Sequence, residues 1–318
     1  MMLSDNILSI IIPMYNSQNY ISKCLESVIA IDIPKEIIVV DDGSTDNSYS
    51  IVEKYAEGGL IRLLRQENKG VSEARNLGLS VCQGNIIAFV DSDDYIIKQG
   101  IDDLYHQFLL SGAEIAMGGV NIIFTENRIE QRQAYKNLQN KELNGEECFA
   151  TLMQTNTFTP LVFCYLFKKD FIDKYNLRFC HKMSEDDLWT SIAMCNATKV
   201  YVSDVLHYAY CKHSESITGK NSNTLFRAEN HIAVANDLYE YLKTHKLRHN
   251  AEEWLCCKIL YIASIAVKIY AERGQWDFKL DLQMYQDLFK RLLSSSDEYV
   301  KKIGLMFGGR IIKMIKQQ

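Results

Sequence analysis

Two apolar strands that each run straight into a cluster of aspartates restrict this chain more than any other feature. Ile86 to Val90 are apolar residues rich in β-branched and aromatic types, which read as a buried strand. Asp91, Asp93 and Asp94 follow at once. Glu36 to Val40 reads as a second such strand, and Asp41, Asp42, Gly43, Ser44, Thr45 and Asp46 follow it. In an open α/β sheet, ligands sit in the crevice beyond the carboxyl ends of the strands. Parallel neighbours bring both clusters to one edge. Carboxylates crowded there repel one another unless a cation holds them. A hard divalent ion with oxygen ligands, Mg²⁺ or Mn²⁺, is the natural counter-charge, usually with a phosphate. The alternative is a solvated acidic turn that caps the helix starting near Tyr95, since Asp is a good N-cap.

The remaining segments supply a sheet for these ends. Ile7 to Met14 reads as a first buried strand, and Pro13 to Ser17 turns out of it. Tyr20 to Ala30 has helical spacing, with Ile21, Leu25, Val28 and Ile29 on one face. A helix over Asn47–Tyr55, a strand over Leu60–Arg65 and a loop from Asn68 into a helix ending near Val81 complete the first half. Strands alternating with helices at this spacing predict βαβ units and a mainly parallel sheet flanked by helices. Further on, the pattern predicts a helix at Gly100–Ser111 and a strand at Ile115–Val120, then a polar excursion over 125–147. A strand at Pro160–Phe167 and a short helix at Lys168–Tyr175 come next. A helix opens at Ser184, Glu185, Asp186 and Asp187, and separate strands lie at Val200–Val202 and His207–Tyr210. His213–Gly219 reads as a loop, and from Leu225 the periodicity is helical almost to the end.

At 318 residues the chain is long enough to bury a full core. A net charge of −5 excludes a generic nucleic-acid binder. Nine cysteines without a C-x-x-C pair fit reduced thiols in a cytoplasmic protein rather than a disulfide framework or zinc site. Met1 to Asn6 lacks the basic start of a signal peptide. Ile259–Val267, the best apolar run, falls short of the ~18 residues that a spanning helix needs.

Pro13, Met14, Tyr15 and Asn16, then Val40 to Asp46, the Asn68–Asn76 loop, and Asp91, Ser92, Asp93 and Asp94 occur in an order that resembles family 2 glycosyltransferases. Those are inverting enzymes with an A-type, Rossmann-like nucleotide-sugar-binding fold. Ser184 to Asp187 falls where that family keeps its Glu-Asp motif. The resemblance implies a nucleotide-sugar-binding and catalytic domain over 1–220 and a C-terminal helical region over 221–318.

Residue by residue, the resemblance implies that Tyr15 packs on the nucleobase, where a flat ring gains area and stacking. Pro13 and Asn16 lie beside it in the same motif. Asp42, with Asp41 as second choice, accepts the uracil ring N–H, and Arg75 lies near the base and diphosphate. Asp91 belongs to the ribose side of the D-x-D motif, Ser92 lies between its aspartates, and Asp93 holds the Mn²⁺ or Mg²⁺. Such an ion stabilises the leaving nucleoside diphosphate. Asp186 is then the base that takes the acceptor proton, with its proton affinity raised by Glu185 and Asp187. Plainer alternatives stay open: a loop tyrosine, a surface arginine, and acids that favour the first turn of a helix. Trp189 either walls the acceptor site or packs in the core.

There are two departures. The Gln-x-x-Arg-Trp motif of processive members is absent, which implies one sugar per encounter. Many relatives carry an Arg before a Ser-Ile-Thr stretch. Here Cys211 stands at that position, and Lys212 and His213 precede Ser216, Ile217 and Thr218. Lys212 offers phosphate charge and His213 a reach to the metal.

The implied activity is transfer of a sugar, as a UDP-sugar, to a glycan or lipid-linked glycan acceptor in surface glycan biosynthesis. The alternatives are a sugar-nucleotide nucleotidyltransferase or a catalytically inactive nucleotide-sugar-binding protein. The first of these needs a Gly-rich loop after strand one, and Pro13 to Ser17 has none. Finally, Lys301–Lys316 mixes apolar residues with cations and no acid, a composition suited either to peripheral contact with the inner membrane face or to a packed C-terminal helix.

Overall fold

The computed structural model describes residues 6–125, 128–134, 136–213, 224–274 and 282–315. Its first half is β1 (Leu8–Met14), α1 (Ile21–Ile29), β2 (Lys35–Asp41), α2 (Ser48–Glu57), β3 (Arg62–Arg65), α3 (Val71–Val81) and β4 (Ile86–Phe89). The near-continuous apolar sequence of β1 is buried throughout, as expected for a parallel strand with helices over both faces. β1 pairs in parallel with β2 and β4, and β2 with β3. Register sets Met14 opposite Asp41 and Ile11 opposite Phe89. The carboxyl ends of three strands therefore open on one edge, as the aspartate clusters required.

The second half is β5 (Tyr95–Ile96), α4 (Lys98–Ser111), β6 (Ile115–Thr125), β7 (Arg128–Arg132), β8 (Lys141–Leu143), α5 (Gly145–Gln154), β9 (Tyr165–Lys168), α6 (Lys169–Lys174), α7 (Glu185–Asn196) and β10 (Val200–Cys211). All ten strands join one sheet with the path β3-β2-β1-β4-β9-β6-β10-β5, while β7 pairs with β6 and β8 with β10. β9 lies antiparallel between β4 and β6, and β10 is parallel to β6. The long strands β1, β2, β6 and β10 thus run the same way as β3 and β4, and the antiparallel members are short. The α/β class with a mainly parallel sheet is what the sequence predicted.

Local differences have local causes. The two strands expected at 200–202 and 207–210 are one strand, whose register slips between Val202 and Leu206 and again before Tyr208. Such bulges absorb the polar Ser203 and Asp204 that broke the apolar pattern. Only Tyr165–Lys168 of the expected Pro160–Phe167 strand is extended, because Val162–Cys164 coils into a 3-10 turn. The polar excursion after 125 contributes β7, exposed along its length, and β8. Residues 214–223, with most of the expected His213–Gly219 loop and the Ser216–Thr218 stretch, lie outside the described residues.

The C-terminal helices are α8 (Leu225–Thr244), α9 (His249–Glu272), α10 (Leu282–Leu293) and α11 (Glu298–Ile315). They share one buried core with the sheet, running from Leu8 to Ile311. Within α9, residues Asn250–Glu272 are long and apolar enough to cross a membrane by length and composition, with a mean hydropathy of 1.6, yet 78% of that apolar stretch is buried inside the protein. α9 is the central helix of this region, packed on α5, α8, α10 and α11. α11 buries Val300, Gly304, Gly308 and Ile311 along one face. A Cβ at Gly308 would come within 2.5 Å of the Phe289 ring, so α11 lies close against α10. The tail is thus a packed helix on one face, while Leu305 and Met306 stay exposed on the other.

Candidate active site

The end of β2 shapes the first wall. Both oxygens of Asp42 are engaged by the following loop. Oδ1 accepts from Gln66 Nε2 at 2.7 Å and from the Lys69 N–H at 2.8 Å, and Oδ2 accepts from the Gly70 N–H at 2.8 Å. Gly43 adopts φ +75°, and a Cβ there would meet the Asn68 backbone nitrogen at 2.9 Å, so the tight turn after Asp42 requires glycine. Asp41 is fully buried, with Oδ1 accepting from the Ser44 N–H and Oδ2 paired with Arg65. Asn16, in the left-handed region at φ 49°, accepts the Thr45 N–H at 2.8 Å on its side-chain oxygen. It thereby ties the β1 turn that follows Pro13 to the β2 loop. Tyr15, in the β1 turn, has 45% of its surface exposed.

The end of β4 forms the floor. The Asp91 N–H donates to the Tyr208 hydroxyl at 3.0 Å, and that hydroxyl donates to Asp94 Oδ2 at 2.8 Å. Asp94 Oδ1 accepts from the Cys211 N–H at 2.7 Å. Burial, then the charges of Asp91 and Asp93, push the Asp94 carboxyl well above the usual range. Asp93 is also raised, by burial and by Asp91, against a bond from His213 whose Nε2 lies 2.8 Å from Asp93 Oδ2. Tyr20 stacks on that imidazole at 4.4 Å. The Ser92 hydroxyl is 2.7 Å from that of Ser17. Carboxylates crowded at one strand end, with Asp93 and Asp94 raised by burial and by their acidic neighbours, are a donor set that a divalent cation fits. Asp93, with His213 beside it, is the pair best placed to hold one.

Between these walls Arg75 of α3 is buried to 2% exposure. One guanidinium nitrogen, Nη1, donates to Glu185 Oε1 at 2.7 Å and to Asp186 Oδ1 at 2.9 Å, and Nη2 donates to Asp91 Oδ1 at 2.9 Å. The guanidinium also lies over the Phe179 ring. Burial would lower its pKa, but Asp186, Asp91 and Glu185 together outweigh that and raise it. Asp186 accepts the Val162 N–H at 3.2 Å on its other oxygen and keeps 15% of its side chain open. Burial, offset in part by Arg75, raises its proton affinity well above that of an ordinary carboxylate, with Glu185 and Asp91 adding to the rise.

Sequence and fold now meet in the known proteins that this chain is similar to. Residues 9–174 match the model of glycosyl transferase family 2. The chain belongs to that family. The protein of Escherichia coli K12 named uncharacterized glycosyltransferase YibD is 33% identical over 224 residues, 69% of this chain and 65% of that protein. The Staphylococcus aureus poly(ribitol-phosphate) beta-N-acetylglucosaminyltransferase TarS is 32% identical over 218 residues, which are 65% of this chain and 36% of TarS. The crystal structure of TarS 1–349 in complex with UDP-GlcNAc aligns with a TM-score of 0.67 at 21% identity, covering 98% of this chain and 88% of that one. The mannosyltransferase PcManGT of Pyrobaculum calidifontis, in complex with GDP-Man and Mn²⁺, aligns with a TM-score of 0.54 at 16% identity, covering 98% and 87%. These likenesses show the A-type glycosyltransferase fold, and family membership removes the nucleotidyltransferase alternative.

In this family 2 chain the structure gathers Asp91, Arg75 and Asp186 at one point and sets Tyr15, Asn16 and Asp42 along the adjoining wall. Several open readings are now decided. The surface-arginine alternative for Arg75 falls, because its side chain is buried. Asp187 does not press on Asp186, because it turns to α9 and pairs with Lys258. Ser184 sits at φ 60° as the residue before α7. Trp189 is core, stacked on Phe179 at 4.9 Å and edge-on to Phe89 and Phe167. Lys212 donates to the Tyr210 hydroxyl at 2.8 Å. Glu185 as an Arg75 partner, Tyr208 as the bridge between Asp91 and Asp94, and Gln66 on Asp42 went unread. For Glu185 the adjacent acid motif was a signal. For Tyr208 and Gln66 the sequence offers none.

Removing the cation from this cluster has a definite sign. Arg75→Met leaves Glu185, Asp186 and Asp91 without their buried partner, which should cost about 3–5 kcal/mol near neutral pH. Unpaired buried carboxylates bind protons more tightly folded than unfolded. The loss should therefore be greatest above their folded pKa and shrink as pH falls toward about 4, where the unfolded chain also takes protons up. Urea unfolding of parent and variant between pH 5 and 8 measures this. A gap that does not narrow toward pH 5 would contradict the pairing.

Proposed function

We propose that this chain transfers a sugar, with inversion, from a UDP-sugar to a hydroxyl of a surface glycan or a lipid-linked glycan, adding one sugar per encounter. The observation that carries the reading is the convergence of the D-x-D aspartate Asp91 and the acid Asp186 on Arg75, which puts a donor-side and an acceptor-side carboxylate on one guanidinium. Residues 1–220 supply both sides, and 221–318 buttress them through Lys258 and Asp187.

In this reading Tyr15, exposed and aromatic, takes the nucleobase face. Pro13 and Asn16 hold its turn. A carboxylate offers about four acceptor positions, and Asp42 uses three on the Gln66, Lys69 and Gly70 donors. The remaining one suits the uracil N–H. Ser92 and Asp91 face the ribose. Asp93, helped by His213, would hold a Mn²⁺ or Mg²⁺ ion, whose chemistry is to stabilise charge on the departing diphosphate. The Mn²⁺ named with PcManGT and the UDP-GlcNAc named with TarS support ion and donor class.

Asp186 then takes the proton of the acceptor hydroxyl as its oxygen attacks the anomeric carbon from the face opposite the leaving nucleoside diphosphate. Its raised proton affinity suits a base, and the Arg75 and Val162 bonds hold both of its oxygens in place. The nine free thiols fit a reducing cytoplasm. Exposed Leu305 and Met306 beside exposed Lys302 fit contact with an anionic inner membrane face, where each cation contributes about 1 kcal/mol.

The donor test is UDP release from a panel of UDP- and GDP-sugars with Mn²⁺, Mg²⁺ or EDTA. A UDP-sugar should be consumed only with the metal, and Asp93→Ala should abolish this. Equal release in EDTA would defeat the metal-dependent reading, and release from no donor in the panel would favour an inactive binder.

Asp186→Asn should fold and bind UDP near normally while transfer falls by on the order of 10² or more. Turnover within a few-fold of the parent would remove Asp186 from the role.

For the membrane, truncation after Val300 is a poor probe because it removes the buried Ile311. The full chain should sediment with anionic vesicles at low salt, and a Leu305→Asn, Met306→Gln chain should not. Equal pelleting of both, or of neither, would leave α11 as a packing helix only.

A further inference from the structure

Away from the sheet edge, the segment that leads into α7 meets α8 through a different set of groups. Cys180 and His181 on that segment and Asp237 on α8 bring a thiol sulfur, an imidazole nitrogen and a carboxylate oxygen within 4.8 Å of one another. His181 Nε2 already lies 2.7 Å from Asp237 Oδ2. The backbone around them is tied on two sides. The His181 carbonyl accepts from Ser72 Oγ of α3 at 2.5 Å, while Asn230, two turns before Asp237 on α8, accepts the Lys182 N–H at 3.1 Å. The three ligand groups are therefore held by a framework that does not depend on a metal. The cluster opens to solvent, because Cys180 is exposed while His181 and Asp237 are half-buried.

We propose that Cys180, His181 and Asp237 form a binding site for a borderline-soft divalent cation, Zn²⁺ by its chemistry. Sulfur, imidazole and one carboxylate are a zinc donor set, whereas Mg²⁺ and Mn²⁺ take oxygen. A thiolate and a carboxylate balance the charge of the ion, and three protein ligands leave a fourth position for water. Binding displaces the proton between His181 Nε2 and Asp237 and the thiol proton of Cys180, and both are released to solvent. Bound there, it clasps the segment preceding Glu185 and Asp186 to α8. The site is separate from Asp93 in ligands and in metal preference, so the two stand or fall independently.

Co²⁺ is the probe, because a cobalt–thiolate bond gives a near-ultraviolet charge-transfer absorption that oxygen ligands do not. The reduced full-length chain, with excess Mg²⁺ to fill the carboxylate edge, is titrated with Co²⁺. One equivalent should produce the band, Zn²⁺ should bleach it, and Zn²⁺ should raise the Tm. Cys180→Ser should lose the band and the Tm rise while keeping the metal-free Tm. Asp237→Asn should lose the Tm rise. Cys211→Ser, with its thiol at the sheet edge, should keep both. Absence of the band in the parent, its survival in Cys180→Ser, or its loss in Cys211→Ser would each overturn the assignment.

Discussion

A guanidinium removed from water persists only where carboxylates meet it, and Arg75 is met by three. Asp91 comes from the end of β4, 16 residues on, whereas Glu185 and Asp186 come from α7, 110 and 111 residues on. One buried charge therefore fixes the position of α7 relative to the parallel half of the sheet. Dispersion between Trp189 and the rings of Phe89, Phe167 and Phe179 presses the same helix onto the strands beneath it. Helix and sheet are thus joined by one polar and one apolar fastening, and the acidic residues of α7 have little freedom between them.

The C-terminal helices complete this arrangement from the far side. Lys258 on α9 is nearly as buried as Arg75 and pairs with Asp187, the residue beside Asp186. Consecutive acids in the first turn of α7 are thus pulled in opposite directions by cations from two different parts of the chain. That turn gains the usual dipole benefit of acidic residues, yet its orientation is set by Arg75 and Lys258. The continuous core from Leu8 to Ile311 accounts for this reach.

Much of this was legible in the sequence because it followed from local pattern. Apolar runs ending in aspartates located β2 and β4, and the alternation of periods gave the parallel half and its open edge. What escaped was set at long range. β9 lies antiparallel between β4 and β6, and nothing in Tyr165–Lys168 signals direction. The choice of Asp186 over Asp187 came from the family motif, but that Arg75 takes one and Lys258 the other was not readable. Trp189 read equally as core or pocket wall, because a helix start tells nothing of which face the sheet will cover. The Cys180, His181 and Asp237 group had no readable spacing, since Asp237 arrives from another helix.

The placement of β9 also bears on how such a chain comes together during synthesis. The strands β1 to β4 lie within the first 89 residues and pair among themselves, so that half can assemble while the rest is still being made. Until Tyr165–Lys168 emerges, β4 presents an open strand edge, the kind of surface that recruits foreign strands. Arg75 waits longer, beside Asp91 with neither acid of α7 available until Glu185 and Asp186 emerge. The active-site cluster is therefore a late product of folding, closed by α7 only after β9 has covered the β4 edge, and an incomplete chain carries a hazard that the finished one does not.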